Sequence, residues 1–509
     1  MKKKILSHAL CAVLVILCCA LMPMLLFFNN IGVVKFYEIA AFIGIYSFIG
    51  LFVFIILKFI FKSEYKAAVT AGLFSLIFQN TGRLTSIMSY KIVACIFIAI
   101  IAALFLAAWK FLKEQVAKIF VPVFAGVLAM LIILNTLLSI GKIVSVANVN
   151  SEIKNDINKQ YEYLASYKDS DKTPDELANI YFIIVDEYAG FNSIEKHFNY
   201  DNKEFKTFLE NNNFTISETS TNYLDGTMEC LANVFNLEFN EKNRYTKTSE
   251  AYCQKKMENG ALFRLAEDNG YTVNVAQTTQ LVNYDSQTDI YGDKWSATGN
   301  SKSTIDLMIS PSMLVPFTDR IRSVLNGVSL DYFVGRTHAV KQAQSYSDPL
   351  VYFAQSENVG KTNTFNLCYA SIPHQPFFFD ENGNVTNDVS KLNDWSNKDN
   401  YLNQFKYCTT LLQDTISNIV ENDPNSIIIL MSDHGARNHS NESSAFDWMN
   451  EMTAKDNTDI LCAVYYKGES FTDIEGMCGS NVMISVVNEA FGYNIPLIAQ
   501  SDSMYYKTP

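Results

Sequence analysis

The sequence predicts two parts: a multi-span α-helical membrane domain, then an α/β domain with a mostly parallel central sheet. Three observations predict this. Long apolar runs fill the first 140 residues, while short β-rich runs alternate with helical patterns after residue 179. Charge divides at the same place, with 13 Lys+Arg against 3 Asp+Glu in residues 1–150 and 27 against 49 in 151–509. At 509 residues the chain also exceeds one ordinary domain of ~150 residues.

Four of the apolar runs, 5–28, 39–57, 92–109 and 119–140, approach the ~20 residues that cross ~30 Å of hydrocarbon as a helix. A fifth, 67–78, is shorter and ends in Gln79, Asn80, Thr81 and Arg83, so alone it would suit a re-entrant or interfacial segment. The positive-inside rule favours five spans. With the N-terminus inside, five spans put Lys2, Lys3, Lys4, Lys58, Lys62, Lys66, Lys110, Lys113 and Lys118 on the cytoplasmic side. Four spans would put the last three outside. Lys2–Lys4 before an apolar run also fits a cleaved signal peptide, but the run is long and further spans follow, favouring an uncleaved helix. No chain of carboxylates or histidines marks an ion path, which disfavours a transporter.

The expected division is therefore 1–142 for about five membrane helices, 143–178 for a polar juxtamembrane linker, and 179–509 for an extracytoplasmic domain. In the last part, runs at 179–185, 271–276, 364–370, 426–431 and 460–466 read as strands, with helical patterns at 228–236, 261–268, 403–420 and 482–490 between them. Continuous apolar strands alternating with helices indicate a parallel sheet covered on both faces. Ligands of such sheets bind beyond the carboxyl ends of the strands. The acidic balance of the second part leaves no large basic surface and excludes a general nucleic-acid binder.

Of the ten cysteines, Cys11, Cys18, Cys19 and Cys95 lie in apolar runs. The other six permit disulfides in 15 pairings, though Cys368 and Cys462 suit buried thiols equally well.

Four short motifs carry chemistry. Asp186 ends a core strand, either as a ligand or as a turn carboxylate. Gly226-Thr227 opens a helix whose N-terminus favours an anion; the threonine is either a nucleophile or an ordinary N-cap with Glu229 as partner. His374 stands between prolines beyond the strand at 364–370, to contact a substrate oxygen or to hold a loop. Ser432-Asp433-His434-Gly435 ends another strand, and Asp with His suits an ion such as Zn²⁺ or Mn²⁺.

Together, this order of motifs resembles the alkaline phosphatase superfamily in its sulfatase-like, membrane-anchored branch, which includes lipoteichoic acid synthases and phosphoglycerol and phosphoethanolamine transferases. The resemblance covers essentially the whole chain. It implies an alkaline phosphatase/sulfatase-like fold, with Asp186, Asp433 and His434 as metal ligands, Thr227 as nucleophile and further ligand, and His374 as a histidine holding the phosphate or a second metal. Arg437 and His439 are further candidates for substrate binding, and His439 for a second ion. Asp186 stands where lipoteichoic acid synthases usually have Glu. The Cys/Ser-x-Pro-x-Arg motif that makes formylglycine in true sulfatases is absent, which disfavours sulfate-ester hydrolysis. The implied activity is transfer of a phospho-head-group from a membrane phospholipid to an envelope glycan or polymer through a phospho-threonine, using one divalent ion (Mn²⁺ or Zn²⁺) at the plasma membrane. Alternatives are a hydrolase with the same site and a non-catalytic scaffold.

Overall fold

The computed structural model describes residues 2–31, 36–86, 90–169, 177–240, 249–278, 281–282, 284, 287, 312–314, 338–386, 391–392, 394–436 and 451–505. The chain divides into two compact units. One comprises 1–151 with 298–335, and the other 152–297 with 336–509.

In the first unit the helices are α1 (Lys2–Asn29), α2 (Phe36–Phe61), α3 (Glu64–Phe78), α4 (Tyr90–Lys110) and the start of α5 (Glu114–Ala165). Among the described residues, four helices are long and apolar enough to cross a membrane, over Leu6–Asn29, Ile39–Phe61, Tyr90–Lys110 and Glu114–Val144. The fifth apolar run forms α3, whose 15 residues span about 22 Å, short of a bilayer's hydrocarbon. Polar side chains close both its ends. Ser63 accepts from Lys66 N at the start, while Gln79, Asn80 and Thr81 donate back to the carbonyls of Ser75, Leu76 and Ile77. Between the last turn of α2 and the first of α3, Lys58 meets His8 at 3.0 Å and His8 pairs with Glu64, a grouping that linear spacing does not reveal.

The second unit holds a six-stranded sheet in the order β2-β6-β5-β1-β4-β3. Its strands are β1 (Ile180–Val185), β2 (Thr215–Ser217), β3 (Thr272–Gln277), β4 (Thr364–Ala370), β5 (Ile427–Ser432) and β6 (Cys462–Tyr466). The helices are α6 (Phe191–Phe198), α7 (Lys203–Asn211), α8 (Thr227–Val234), α9 (Ser249–Glu258), α10 (Ala261–Asp268), α11 (His338–Phe353), α12 (Lys398–Asn422), α13 (Ala454–Thr458) and α14 (Gly479–Phe491). Strands β5, β1, β4 and β3 run parallel, while β6 is antiparallel to both β5 and β2. The direction of β6 is not encoded in its apolar run, which reads the same either way.

The strands read as unbroken apolar runs because both faces are buried. Ile180, Phe182 and Ile184 join one core, with residues of α8, α10 and α14. Tyr181, Ile183 and Val185 join the other, with residues of α6, α7 and α12. None of the ten cysteines is joined in a disulfide.

The helix α5 continues through 143–165, and Ile153, Ile157 and Leu164 are buried near its end. Arg264 lies 3.7 Å over the ring of Tyr161, and Lys168 donates to the carbonyl of Phe491. A fragment starting at Glu152 keeps these contacts, whereas one starting at residue 170 loses them. Loss of one large buried aliphatic side chain costs about 2–5 kcal/mol. The longer fragment is therefore expected to melt several degrees higher in a calorimeter, and equal melting temperatures would contradict this.

Candidate active site at the carboxyl ends of the strands

The register sets the site. Val185 pairs with Ala370 on one side and Ser432 on the other, so Asp186, Ser371 and Asp433 leave three neighbouring parallel strands at one level. Asp186, Asp433 and His434 are buried, and one ligand atom from each lies within 4.8 Å of the others.

Each member is held in orientation. Asp186 Oδ2 accepts from the hydroxyl of Tyr369 at 2.6 Å. Asp433 Oδ1 accepts from the backbone N–H groups of Glu187 (3.0 Å) and His434 (2.8 Å). His434 Nδ1 donates to the carbonyl of Gly435 at 2.8 Å, which leaves Nε2 with its lone pair. That Nε2 lies 3.7 Å from Asp186 Oδ1 and 3.6 Å from Asp433 Oδ2. Asp433 Oδ2 accepts no hydrogen bond among the described residues. A buried carboxylate oxygen facing a second carboxylate and an imidazole lone pair is costly unless a cation joins them. The donor set fits a divalent ion of the Zn²⁺ or Mn²⁺ type.

Thr227 enters from a distant part of the chain, and its Oγ1 lies 3.5 Å from His434 Nε2. It is the first residue of α8, and Gly226 occupies the N-cap. The threonine is therefore not the N-cap that the sequence offered as an alternative. At position 226 a Cβ would meet the Glu229 carboxylate, which packs against this turn.

His374 is joined to the cluster through the backbone. Its N–H donates to the carbonyl of Asp186 at 3.1 Å, and its Nε2 lies 3.7 Å from Glu187 Oε2. Arg437 and His439 fall outside the described residues. Arg264 is engaged with Tyr161 and with Asn158 (3.0 Å).

Sequence reasoning passed over three residues here. Glu187, fully buried at φ +62°, turns its N–H onto Asp433 and its carboxylate towards His374. Adjacency to Asp186 was its one signal. Asn222 donates to the carbonyl of Asp433 at 2.6 Å and accepts from Gly479 N at 3.0 Å, tying the Thr227 segment and α14 to β5. Tyr369 had no signal beyond its place in a strand. Burial pushes its phenol far up, and the charges of Asp186 and Asp433 add to this, so it stays a donor. Tyr369→Phe is expected to weaken divalent-ion affinity by about 10- to 100-fold, the effect of removing a group that orients a ligand. Titration of the metal-free protein with Mn²⁺ measures this, and unchanged affinity would contradict it.

The turn after His434 rests on the segment 453–459. Gly435 N donates to Asn457 O at 2.9 Å, and a Cβ at Gly435 would sit 2.5 Å from Asp459 O. Burial raises the Asp459 carboxyl to about 7; the Ser193 N–H at 2.9 Å opposes this and the neighbouring Asp456 adds to it. Burial also opposes ionisation of Asp456, but hydrogen bonds from Lys196, Thr453 and His197 hold it down to about 2. Between the unfolded value near 4 and about 7, the folded state binds more protons at Asp459. This contribution to stability is thus full at low pH and is lost as pH rises through that window. Asp459→Asn keeps an acceptor for Ser193 and removes the charge. At pH 8 it is expected to stabilise by roughly 1–3 kcal/mol, with little effect at pH 4. Thermal melting between pH 4 and 8 checks this; an unchanged pH slope would contradict it.

No family model matches the sequence, and no curated protein is similar to it. Solved structures are. The zinc complex of the C-terminal periplasmic domain of EptC from Escherichia coli is 13% identical, with 64% of this chain and 86% of that chain covered and a TM-score of 0.37. The integral membrane lipooligosaccharide phosphoethanolamine transferase A of Neisseria meningitidis is 11% identical, with 95% of both chains covered and a TM-score of 0.34. A putative sulfatase from Bacteroides fragilis is 12% identical, with 62% and 74% covered and a TM-score of 0.38. Phosphoethanolamine transferases and sulfatases are the groups to which the sequence resemblance pointed. At these scores, the chemistry of this chain rests on its own residues.

Proposed function

We propose that this chain is a membrane-anchored, metal-dependent phosphotransferase. In this reading it moves a phosphoglycerol- or phosphoethanolamine-type head group from a phospholipid to an envelope glycan or polymer through a phospho-threonine. The observation that carries the reading is Thr227 Oγ1 at the start of α8, 3.5 Å from the imidazole of His434, 207 residues further along the chain, in the buried Asp-Asp-His cluster. A hydroxyl serving only a helix cap needs no such neighbours.

Asp186, Asp433 and His434 would hold the ion, Mn²⁺ or Zn²⁺, and His374, with Glu187 Oε2 3.7 Å from its Nε2, would hold the phosphate or contribute to a second ion. When bound, a divalent ion supplies Lewis-acid stabilisation of phosphate oxygens and lowers the pKa of a nearby hydroxyl. Thr227 gives its proton to solvent and Oγ1 attacks the phosphorus of a diester. The Oγ1–P bond forms, the bond from phosphorus to the lipid alcohol breaks, and the departing oxygen takes a proton from protonated His374 or from water. The N-terminus of α8 favours the negative charge left on phospho-Thr227. An acceptor hydroxyl then attacks phosphorus, releases its proton, and Thr227 regains one as it leaves.

Helices long enough to cross a bilayer keep the chain where lipid donors are. The lysine distribution supports five crossings with residues after about 142 outside the cytoplasm; α3, at about 22 Å, serves as one of them where the bilayer thins around it. The reading is tested by ³¹P NMR of the full chain with Mn²⁺, phosphatidylglycerol or phosphatidylethanolamine vesicles, and a glycan acceptor. A phosphodiester on the glycan is the expected product. Free head-group phosphate alone would make the protein a hydrolase, and unchanged lipid would reject both.

A further inference from the structure

We infer that Gln404, on α12, is a positioning residue for His374; this rests on the role given to His374 above. Gln404 is 1% exposed, and its side chain makes five hydrogen bonds to one loop. Its Nε2 donates to the carbonyls of Pro373 (3.0 Å), His374 (2.8 Å) and Pro376 (3.3 Å). Its Oε1 accepts from the N–H groups of Phe378 (2.8 Å) and Phe379 (3.2 Å).

A loop beyond a strand end has no ladder to satisfy its backbone, and buried backbone groups must be paired. Here one amide side chain satisfies them on both sides of the histidine. The loop has other anchors, each holding a single group: His374 N on Asp186 O, Phe377 N on Leu392 O, Thr386 N on Phe378 O, Cys408 Sγ on Ile372 O, and Trp395 Nε1 on the Gln375 side chain at 2.7 Å. Only a side chain that donates and accepts at once meets this demand. A carboxylate would accept from Phe378 and Phe379 but repel the three carbonyls. A methionine would fill the space and bond neither set. Gln404 thus fixes where the imidazole stands relative to the phosphorus, without touching substrate itself. A displacement of about 1 Å in a positioning group can cost about 100-fold in rate.

The test is a double-mutant cycle on the full chain in detergent with Mn²⁺, read as kcat and KM for bis(4-nitrophenyl) phosphate. Gln404→Glu and His374→Ala are each expected to lower kcat/KM by about 10- to 100-fold. In the His374→Ala background, Gln404→Glu is expected to change it by less than about 3-fold, because the two act through one group. An equal loss in both backgrounds would show that Gln404 is only structural and overturn the inference. So would no loss in Gln404→Glu while His374→Ala is impaired. Normal turnover by His374→Ala would instead overturn the role of His374, and with it this inference. Gln404→Met supplies a readout independent of turnover. Hydrogen exchange is expected to speed up over 372–379 and to stay unchanged over β5; unchanged exchange at 372–379 also overturns the inference.

Discussion

Replacing Thr227 by alanine is expected to lower turnover of a phosphodiester by about 1,000-fold or more, the scale for deleting a covalent nucleophile. The fold should persist. Gly226, not Thr227, is the N-cap of α8, and no side-chain cap bond is made there, so alanine at the first helical position removes no cap. The ion should still bind, because Asp186, Asp433 and His434 keep their partners Tyr369, Glu187 N–H and Gly435 O. Thr227→Ser retains the oxygen and should retain partial activity. Steady-state kinetics with bis(4-nitrophenyl) phosphate, alongside circular dichroism and metal content, reads all three. Near-wild-type turnover by the alanine variant would mean that water attacks directly.

Asp433→Asn is expected to produce the second large effect, on the ion itself. The side-chain oxygen that accepts from Glu187 and His434 can remain, while the charge is lost. Divalent-ion affinity should fall by about 100-fold or more. Stability should then show a crossing. In chelator, wild type buries Asp186 and Asp433 side by side, so the variant should melt at least as high. With saturating Mn²⁺, wild type gains the stabilisation of a ligand bound only to the folded state, and the order reverses. Differential scanning fluorimetry in chelator and in Mn²⁺ measures this. The same order in both conditions would remove the cluster as a metal site.

What the sequence made legible follows from physics. β1, β4 and β5 announce themselves because burial on both faces forces unbroken apolar runs. Those runs end in the residues that the parallel register brings together, so Asp186 and Asp433-His434 could be placed in one site before any coordinates. β2 was not legible: Thr215–Ser217 is a three-residue edge strand without an apolar pattern. The polar segment 143–178 reads as a partly helical linker, and it is helical to Ala165, where the buried Ile153, Ile157 and Leu164 give it an apolar face. The supporting residues were hidden for another reason. Tyr369 and Gln404 act through hydrogen bonds set by register and by packing of α12, and neither leaves a local motif. Glu187 depends on a left-handed backbone conformation that no side-chain pattern signals.

The central claim is that Thr227 takes the phosphoryl group onto its own oxygen. Tandem mass spectrometry of the peptide containing Thr227, after brief incubation of the full chain with Mn²⁺ and mixed phospholipids and an acid quench, tests it most directly. A phospho-head-group adduct is expected on Thr227, absent from Asp433→Asn and from chelated wild type. Turnover of the lipid with Thr227 unmodified at every time point, including after rapid quench, would contradict it.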